Sequence, residues 1–280
     1  MSEIEVTQEL LDHLARCTPK ERTAMYDEIG RSEWQRCAND PVYWLDASRH
    51  LMPYVFTRDP KPLFQCRKCQ ESMFFDRRYT HLEIRHDVEA DSEAIVTALF
   101  DELPTTRAFT MFPYIPPIIR TWLREKIVFV EKSRDMMVTW LVVALFTWDT
   151  LFHKNRENIF QSDDSTKTLD LVERAFFIWD NQPSFLKKVQ PATFTSGQTR
   201  SGILRVPGLV STILGFPAGA DQIRQYHPTG VFQDEAAFNP EMAASFMAVK
   251  PAIEAGGRFT AVSSANPGFF FSACRDTTFA

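Results

Sequence analysis

The sequence predicts an α/β fold from residue 111 onward, with a mostly parallel sheet flanked by helices. Short apolar runs at 127–130 and 230–233 have the length of buried strands, and apolar residues between them recur at helical spacing. The chain has 280 residues, of which 44% are hydrophobic and 24% charged. This composition is typical of a folded protein with a full core and excludes a disordered chain.

Three regions are expected along the chain. Residues 1–55 have the pattern of a helical N-terminal region, residues 56–110 form a more polar insertion, and residues 111–280 form the α/β core. No stretch of 18 uncharged apolar residues occurs, so no membrane span is expected. The net charge of −5 excludes a basic surface over the whole protein, while a local nucleic-acid patch stays open.

Within the core, the elements follow in a regular order. The run at 127–130 predicts a buried strand, and residues 139–152 predict a helix that is apolar on almost every side. A short strand is expected at 157–161 and a helix over 166–180, where apolar residues recur every three or four positions. Further strands are predicted at 203–206, 210–214, 230–233 and 259–263.

The loop between the first core strand and its helix is a candidate phosphate site, because free backbone N–H groups at a helix start attract anions. On the frame G-x-x-x-x-G-K-[ST], Lys132 takes the first glycine position, Met137 the second, and Thr139 the hydroxyl position. The chain has ten glycines and none in residues 31–196. The alternative is an ordinary surface loop. The predicted phosphate-binding residues are Lys132, Ser133, Arg134, Asp135, Met136, Met137, Val138 and Thr139.

Two later strands end in polar residues. The strand at 230–233 leads into Asp234 and Glu235. Asp234 is a candidate magnesium ligand, together with Thr139, and Glu235 is a candidate for the base that activates water. The alternative is a solvated acidic turn. The strand at 259–263 leads into Ser264 and Asn266, which could sense the terminal phosphate or simply form a strand end with a Pro-Gly turn.

A third cluster lies in the insertion. Cys66 and Cys69 are followed by eleven residues and then by His81 and His86, one residue short of a zinc-finger spacing. Four such ligands predict a closed, structural zinc site. The alternatives are reduced cysteines with solvent-exposed histidines, or a zinc-stabilised module that binds nucleic acid or a partner.

The core segments together resemble the ATPase domain of the large terminase subunit of tailed bacteriophages and prophages, a P-loop ATPase. The resemblance covers about residues 35–275. It is carried by four segments in order, which are DPVYWL at 40–45, EKSRDMMVTWL at 131–141, VFQDEAAF at 231–238 and SSANPG at 263–268.

The resemblance implies a Mg²⁺-dependent ATPase motor that translocates double-stranded DNA into a procapsid in the host cytoplasm. Its implied partners are DNA, the portal protein and the small terminase subunit. A homo-oligomeric ring is implied for the assembled state, with a monomer as the alternative for the isolated chain. No carboxylate set of a nuclease is recognised, so the family's nuclease is expected to be missing from these residues.

The resemblance also implies two roles outside the loop and the acidic pair. Arg224 matches an arginine finger that acts on a neighbouring subunit's ATP, with a surface ion pair as the alternative. Phe112 and Tyr114 lie where relatives pack the adenine, with core packing as the alternative. Two other functions stay open, a nucleotide-binding assembly module with weak catalysis and another P-loop translocase of helicase type.

Overall fold

The structure is a computed structural model that divides into two compact units, residues 49–109 and the remainder of the chain. The predicted boundaries at 55 and 110 stay a prediction. The structure describes residues 28, 31–47, 52–53, 63–66, 72–74, 95–96, 106–107, 109, 111–134, 136–182, 184–189, 191–196 and 202–276.

The smaller unit contains two antiparallel arrangements of short strands. Strand β1 (Met52–Pro53) pairs with β5 (Thr106–Arg107), and β2 (Leu63–Cys66) lies between β3 (Ser72–Phe74) and β4 (Ile95–Val96). Cys66 is therefore the last residue of a strand. Cys69, His81 and His86 lie outside the described residues, so the zinc site stays a prediction.

The larger unit is built on a seven-stranded sheet in the order β6-β12-β11-β7-β10-β9-β8. The first five of these are parallel, whereas β9 is antiparallel to both β10 and β8. This confirms the predicted mostly parallel α/β sheet. The strands are β6 (Ile127–Glu131), β7 (Glu157–Gln161), β8 (Thr193–Thr195), β9 (Ile203–Val206), β10 (Ser211–Gly215), β11 (Gly230–Asp234) and β12 (Arg258–Ser263).

Helices surround this sheet, and both predicted helices are present within a residue of their expected ends. Residues 31–39 are also helical. The labelled helices are α1 (Pro41–Ala47), α2 (Ile115–Arg124), α3 (Val138–Phe152), α4 (Ser165–Asp180), α5 (Ser184–Val189), α6 (Ala220–Arg224), α7 (Met242–Glu254) and α8 (Phe269–Ala273). None of the helices in the described ranges is long and apolar enough to cross a membrane.

Helix α3 is the centre of the core, as its apolar sequence predicts. All of its residues except Thr139 are buried. Phe146 packs against Phe160 of β7 and Phe232 of β11, with ring centroids 5.8 and 6.0 Å apart. Trp148 donates from its indole N–H to the carbonyl of Cys37 at 2.7 Å. The N-terminal helical segment therefore covers the side of α3 that faces away from the sheet.

The opposite face of the sheet is covered by α7 and α8. Phe129 of β6 lies at the centre of an aromatic cluster with Phe246, Phe259 and Phe270, with centroid distances of 5.8 to 6.0 Å. Because β6, β11 and β12 are parallel, their carboxyl ends meet at one edge of the sheet. The loops that follow these three strands therefore lie side by side.

Candidate functional site

The loop that follows β6 begins within the sheet. The N–H of Lys132 donates to the carbonyl of Ser263 at 2.9 Å, which extends the β6–β12 pairing by one residue. The loop ends at Met137, whose φ of 56° and ψ of 10° are left-handed. This is the position that the sequence frame assigns to the second glycine. The backbone therefore has positive φ at this position, and a methionine adopts it at some energetic cost.

The other predicted loop residues differ in what they present. Ser133 and Arg134 are exposed, and Met136 is half-buried. Val138 is the first residue of α3 and its side chain is 3% exposed, so only its backbone N–H is available to a ligand. Asp135 lies outside the described residues, and its predicted role is not tested.

Two aromatic residues lie next to this loop. Tyr114 donates from its hydroxyl to the carbonyl of Met136 at 2.9 Å, and Phe112 stacks on Tyr114 with ring centroids 5.5 Å apart. Phe112 is 38% exposed. The aromatic pair therefore lies at the loop, and its adenine-packing role stays a prediction.

Helix α3, which follows the loop, and strand β11, which ends at Asp234, are joined by one hydrogen bond. Thr139 of α3 donates from its hydroxyl to Oδ1 of Asp234 at 3.0 Å, although the two residues are 95 positions apart. Burial raises the pKa of Asp234, while the hydrogen bond from Thr139 and the charges of Lys132 and Arg174 act in the opposite direction. A hydroxyl and a carboxylate at this distance fit the oxygen donors that Mg²⁺ takes beside phosphates and water.

Lys132 and Glu235 form the second link between the loop and the acidic pair. Nζ of Lys132 lies 3.7 Å from Oε1 of Glu235, and the two side chains are 13% and 29% exposed. Glu235 has a left-handed backbone, with φ of 51° and ψ of 35°, where the chain turns sharply out of β11. This turn directs the carboxylate toward the loop instead of along the strand.

Asn266 connects the end of β12 to the turn that follows Glu235. Its side-chain amide donates to the carbonyl of Ala237 at 3.0 Å. Ser264, the other predicted coupling residue, is half-buried directly after β12. Asn266 thus contacts the backbone two residues beyond Glu235, which is a position from which a shift of the turn can be transmitted.

Arg224 lies elsewhere. It is 62% exposed at the end of α6, where it forms an ion pair with Asp221 at 3.0 Å. It lines a cavity of about 580 Å³ together with Arg156, Thr229 and Gly257, which immediately precede β7, β11 and β12. This cavity is at the amino edge of the sheet, opposite Asp234. Within one chain, Arg224 is therefore not brought together with the other predicted site residues.

One residue near the site was missed by the sequence reasoning. Arg174 extends from α4, with its guanidinium carbon 5.2 Å from the centroid of the Trp140 ring. Its charge acts on Asp234. Its sequence context, an arginine on an amphipathic helix, is typical of a solvent-exposed face, so only the packing of α4 on α3 reveals it.

No cluster of three or more histidine, cysteine, aspartate or glutamate residues suited to a metal ion occurs in the described part of the chain. Thr139 and Asp234 would be the ligands that the protein supplies to a magnesium ion here, beside oxygens of a nucleotide and of water. Such a site is usual for Mg²⁺ beside phosphates, since the ion keeps several ligands outside the protein.

These contacts define an α/β protein in which a phosphate-type loop faces an acidic pair. No family model and no curated protein matches the sequence. The fold is similar to the large terminase ATPase domain of Thermus phage P74-26, with a TM-score of 0.46 and 14% identity over 59% of this chain and 69% of that chain.

Two further solved structures give the same kind of similarity. The large terminase of bacteriophage HK97 has a TM-score of 0.48 and 13% identity over 61% of this chain and 37% of that chain. The large terminase of a thermophilic bacteriophage, solved in complex with ADP, has a TM-score of 0.40 and 9% identity over 55% of this chain and 39% of that chain. All three TM-scores are below 0.5.

Proposed function

We propose that this chain is a Mg²⁺-dependent ATPase, and that it is the motor domain of a bacteriophage terminase that translocates double-stranded DNA into a procapsid. The observation that carries the proposal is the hydrogen bond from Thr139 to Asp234 at 3.0 Å, with the ion pair of Lys132 and Glu235 beside it. Two distant segments of the sequence thus assemble a hydroxyl, two carboxylates and an ammonium at one edge of a parallel sheet.

Each of these groups has a defined task in phosphoryl transfer to water. Lys132, Arg134 and the N–H groups at the start of α3 hold the phosphates. Thr139 and Asp234 would hold Mg²⁺, which when bound neutralises charge that develops on the phosphates. Glu235 orients the attacking water and accepts its proton, because its carboxylate lies beside the loop and keeps 29% exposure.

The ion pair of Lys132 and Glu235 gives this mechanism an order. The ammonium of Lys132 lies 3.7 Å from the carboxylate of Glu235. Phosphate oxygens attract the same ammonium more strongly, because they carry more charge. Binding of the triphosphate therefore draws Lys132 away from Glu235 and leaves the carboxylate free to accept a proton.

Motor action requires that hydrolysis be coupled to movement and to a neighbouring subunit. We assign the coupling to Ser264 and Asn266, since Asn266 contacts the turn that follows Glu235. Arg224 lies at the opposite edge of the sheet and acts on the ATP of an adjacent copy in a ring. The proposed partners are the portal protein, the small terminase subunit and DNA, in the host cytoplasm.

The decisive experiment separates binding from hydrolysis. The Glu235→Gln variant keeps the shape of the side chain but cannot accept a proton, so ATP turnover should fall at least about 100-fold while ATP affinity is retained. Turnover is measured on protein assembled with portal and DNA, and affinity by calorimetry. The matched control is Glu254→Gln, at the exposed end of α7, which should leave both unchanged. Wild-type turnover in the Glu235→Gln complex would refute the assignment.

A second candidate function is a nucleotide-binding assembly module with weak catalysis. The glycine-free loop motivates it, because Met137 holds the left-handed position and a residue other than glycine changes between backbone conformations less readily. Under this alternative, nucleotide binds but the complex with portal and DNA shows no turnover above that of the isolated chain.

A further inference from the structure

Arg174 is a partly buried cation that lies next to the proposed nucleotide site. It belongs to α4, which packs along α3, and its guanidinium carbon lies 5.2 Å from the centroid of the Trp140 ring. Trp140 directly follows Thr139 in the first turn of α3 and in turn contacts Phe177 of α4, with ring centroids 6.2 Å apart. Two aromatic contacts thus fix where the guanidinium lies relative to the phosphate loop.

The charge of Arg174 acts on a carboxylate of β11. Burial lowers the pKa of Arg174, and the carboxylate that most opposes this effect is Asp234, ahead of Asp170. Asp170 is only one helical turn away on the same helix. The contact with Trp140, the residue after Thr139, places the guanidinium on the side of α3 from which its charge acts on Asp234, the carboxylate that Thr139 contacts.

The donors of Arg174 have no acceptor in the described part of the chain. Neither a hydrogen bond nor an ion pair within 4.0 Å joins its guanidinium to another described residue, whereas Lys132 is paired with Glu235 and Thr139 with Asp234. A guanidinium has five N–H donors in a fork that matches phosphate oxygens. The donors of Arg174 are therefore available to an anionic ligand.

We propose that Arg174 binds the terminal phosphate of a nucleoside triphosphate in the same chain, opposite the loop. This inference rests on the proposed nucleotide site. Thr139 and Asp234 would hold Mg²⁺ beside the phosphates, and Arg174 lies next to this pair on the α4 side of α3. Lys132 and Arg134 hold the phosphates from the loop, and Arg174 adds a cation on the side of α4.

The proposal predicts discrimination between triphosphate and diphosphate. The Arg174→Ala variant should bind the Mg²⁺ complex of AMP-PNP about 10- to 100-fold more weakly, as expected for loss of hydrogen bonds to a charged group. Its affinity for Mg²⁺-ADP should stay within about twofold of wild type. The Arg174→Lys variant keeps the charge without the fork, so its AMP-PNP affinity should be intermediate.

Arg258 provides a matched control. Its guanidinium carbon lies 3.7 Å from the centroid of the Trp122 ring, and burial lowers its pKa as it does that of Arg174. It lies at the first position of β12, however, at the edge of the sheet opposite Asp234. The Arg258→Ala variant should therefore change affinity for AMP-PNP and ADP equally, or not at all.

All variants are compared by calorimetry with the full chain, after their thermal unfolding midpoints are measured. Equal loss of AMP-PNP and ADP affinity in Arg174→Ala, or no loss, would overturn the inference while leaving the proposed function intact. If Arg174→Ala does not fold, Arg174→Lys decides in the same way. Failure of the wild-type chain to bind either nucleotide would instead contradict the proposed function.

Discussion

The backbone conformation of Met137 predicts that glycine is more stabilising than alanine at this position, the reverse of their usual order. A residue other than glycine loses about 1–2 kcal/mol in the left-handed region, and glycine avoids this cost. Glycine also adds freedom to the unfolded chain, which offsets about 0.4–1 kcal/mol. With φ of 56° at this position, the Met137→Gly variant should be more stable than Met137→Ala by about 1 kcal/mol.

Met247 is the matched control, since it is a 60% exposed methionine inside helix α7. There the Met247→Gly variant should be less stable than Met247→Ala by about 1 kcal/mol, because glycine is a poor helix former. Comparing glycine with alanine at each site cancels the loss of the methionine side chain. The sign of the difference therefore reports the backbone conformation alone.

Thermal unfolding of the four variants without nucleotide is the appropriate assay, and 1 kcal/mol corresponds to about 2–4 °C for a protein of this size. The refuting result is a Met137→Gly variant that is less stable than Met137→Ala, by the same amount by which Met247→Gly is less stable than Met247→Ala. In that case Met137 is not left-handed in solution. The explanation of the loop as a strained substitute for a glycine loop would then be wrong.

Three further predictions test the acidic site, the core and the insertion. Because burial raises the pKa of Asp234, its ionised form destabilises the fold at pH values above the ordinary carboxyl pKa. The Asp234→Asn variant should therefore have a higher thermal unfolding midpoint at neutral pH, and this gain should shrink as the pH is lowered. In Gly230→Ala the new Cβ would lie 2.4 Å from Oδ1 of Asn158 and 2.6 Å from Cε1 of Phe146, so urea unfolding should show a loss of about 1–3 kcal/mol. Metal analysis should give about one zinc per chain, lost in Cys66→Ser, and less than about half an equivalent in the wild type would contradict the zinc site.

The sheet and the principal contact of the site follow from local features of the sequence. Apolar runs that end in polar residues predict parallel strands, and the carboxyl ends of such strands converge at one edge. The contact between Thr139 and Asp234 is a direct consequence. Helix α7 was not predicted although Phe246, Val249 and Ile253 recur at helical spacing, because Pro251 inside the segment indicates a helix end.

Two other features depend on tertiary packing and leave no local signal. Arg174 lies near the site only because α4 packs on α3 next to Trp140. The position along α3 at which α4 packs cannot be predicted from the sequence of either helix alone. The position of Arg224 likewise depends on where the chain returns to the amino edge of the sheet before β11 begins. Side chains that act through helix packing, or across an interface between copies, are therefore the least accessible to sequence reasoning.

The absence of glycine from the loop does not by itself prevent phosphate binding. Glycine serves such loops in two ways, by allowing positive φ and by removing side chains that would block the phosphates. Met137 meets the first requirement at an energetic cost. For the second, Val138 turns its side chain into the core, whereas Ser133 and Arg134 are exposed, and both can donate to an anion. The loop can therefore still present its N–H groups to a phosphate. Under the proposed function, the rate of hydrolysis would depend on how readily Lys132 leaves Glu235 to bind phosphate.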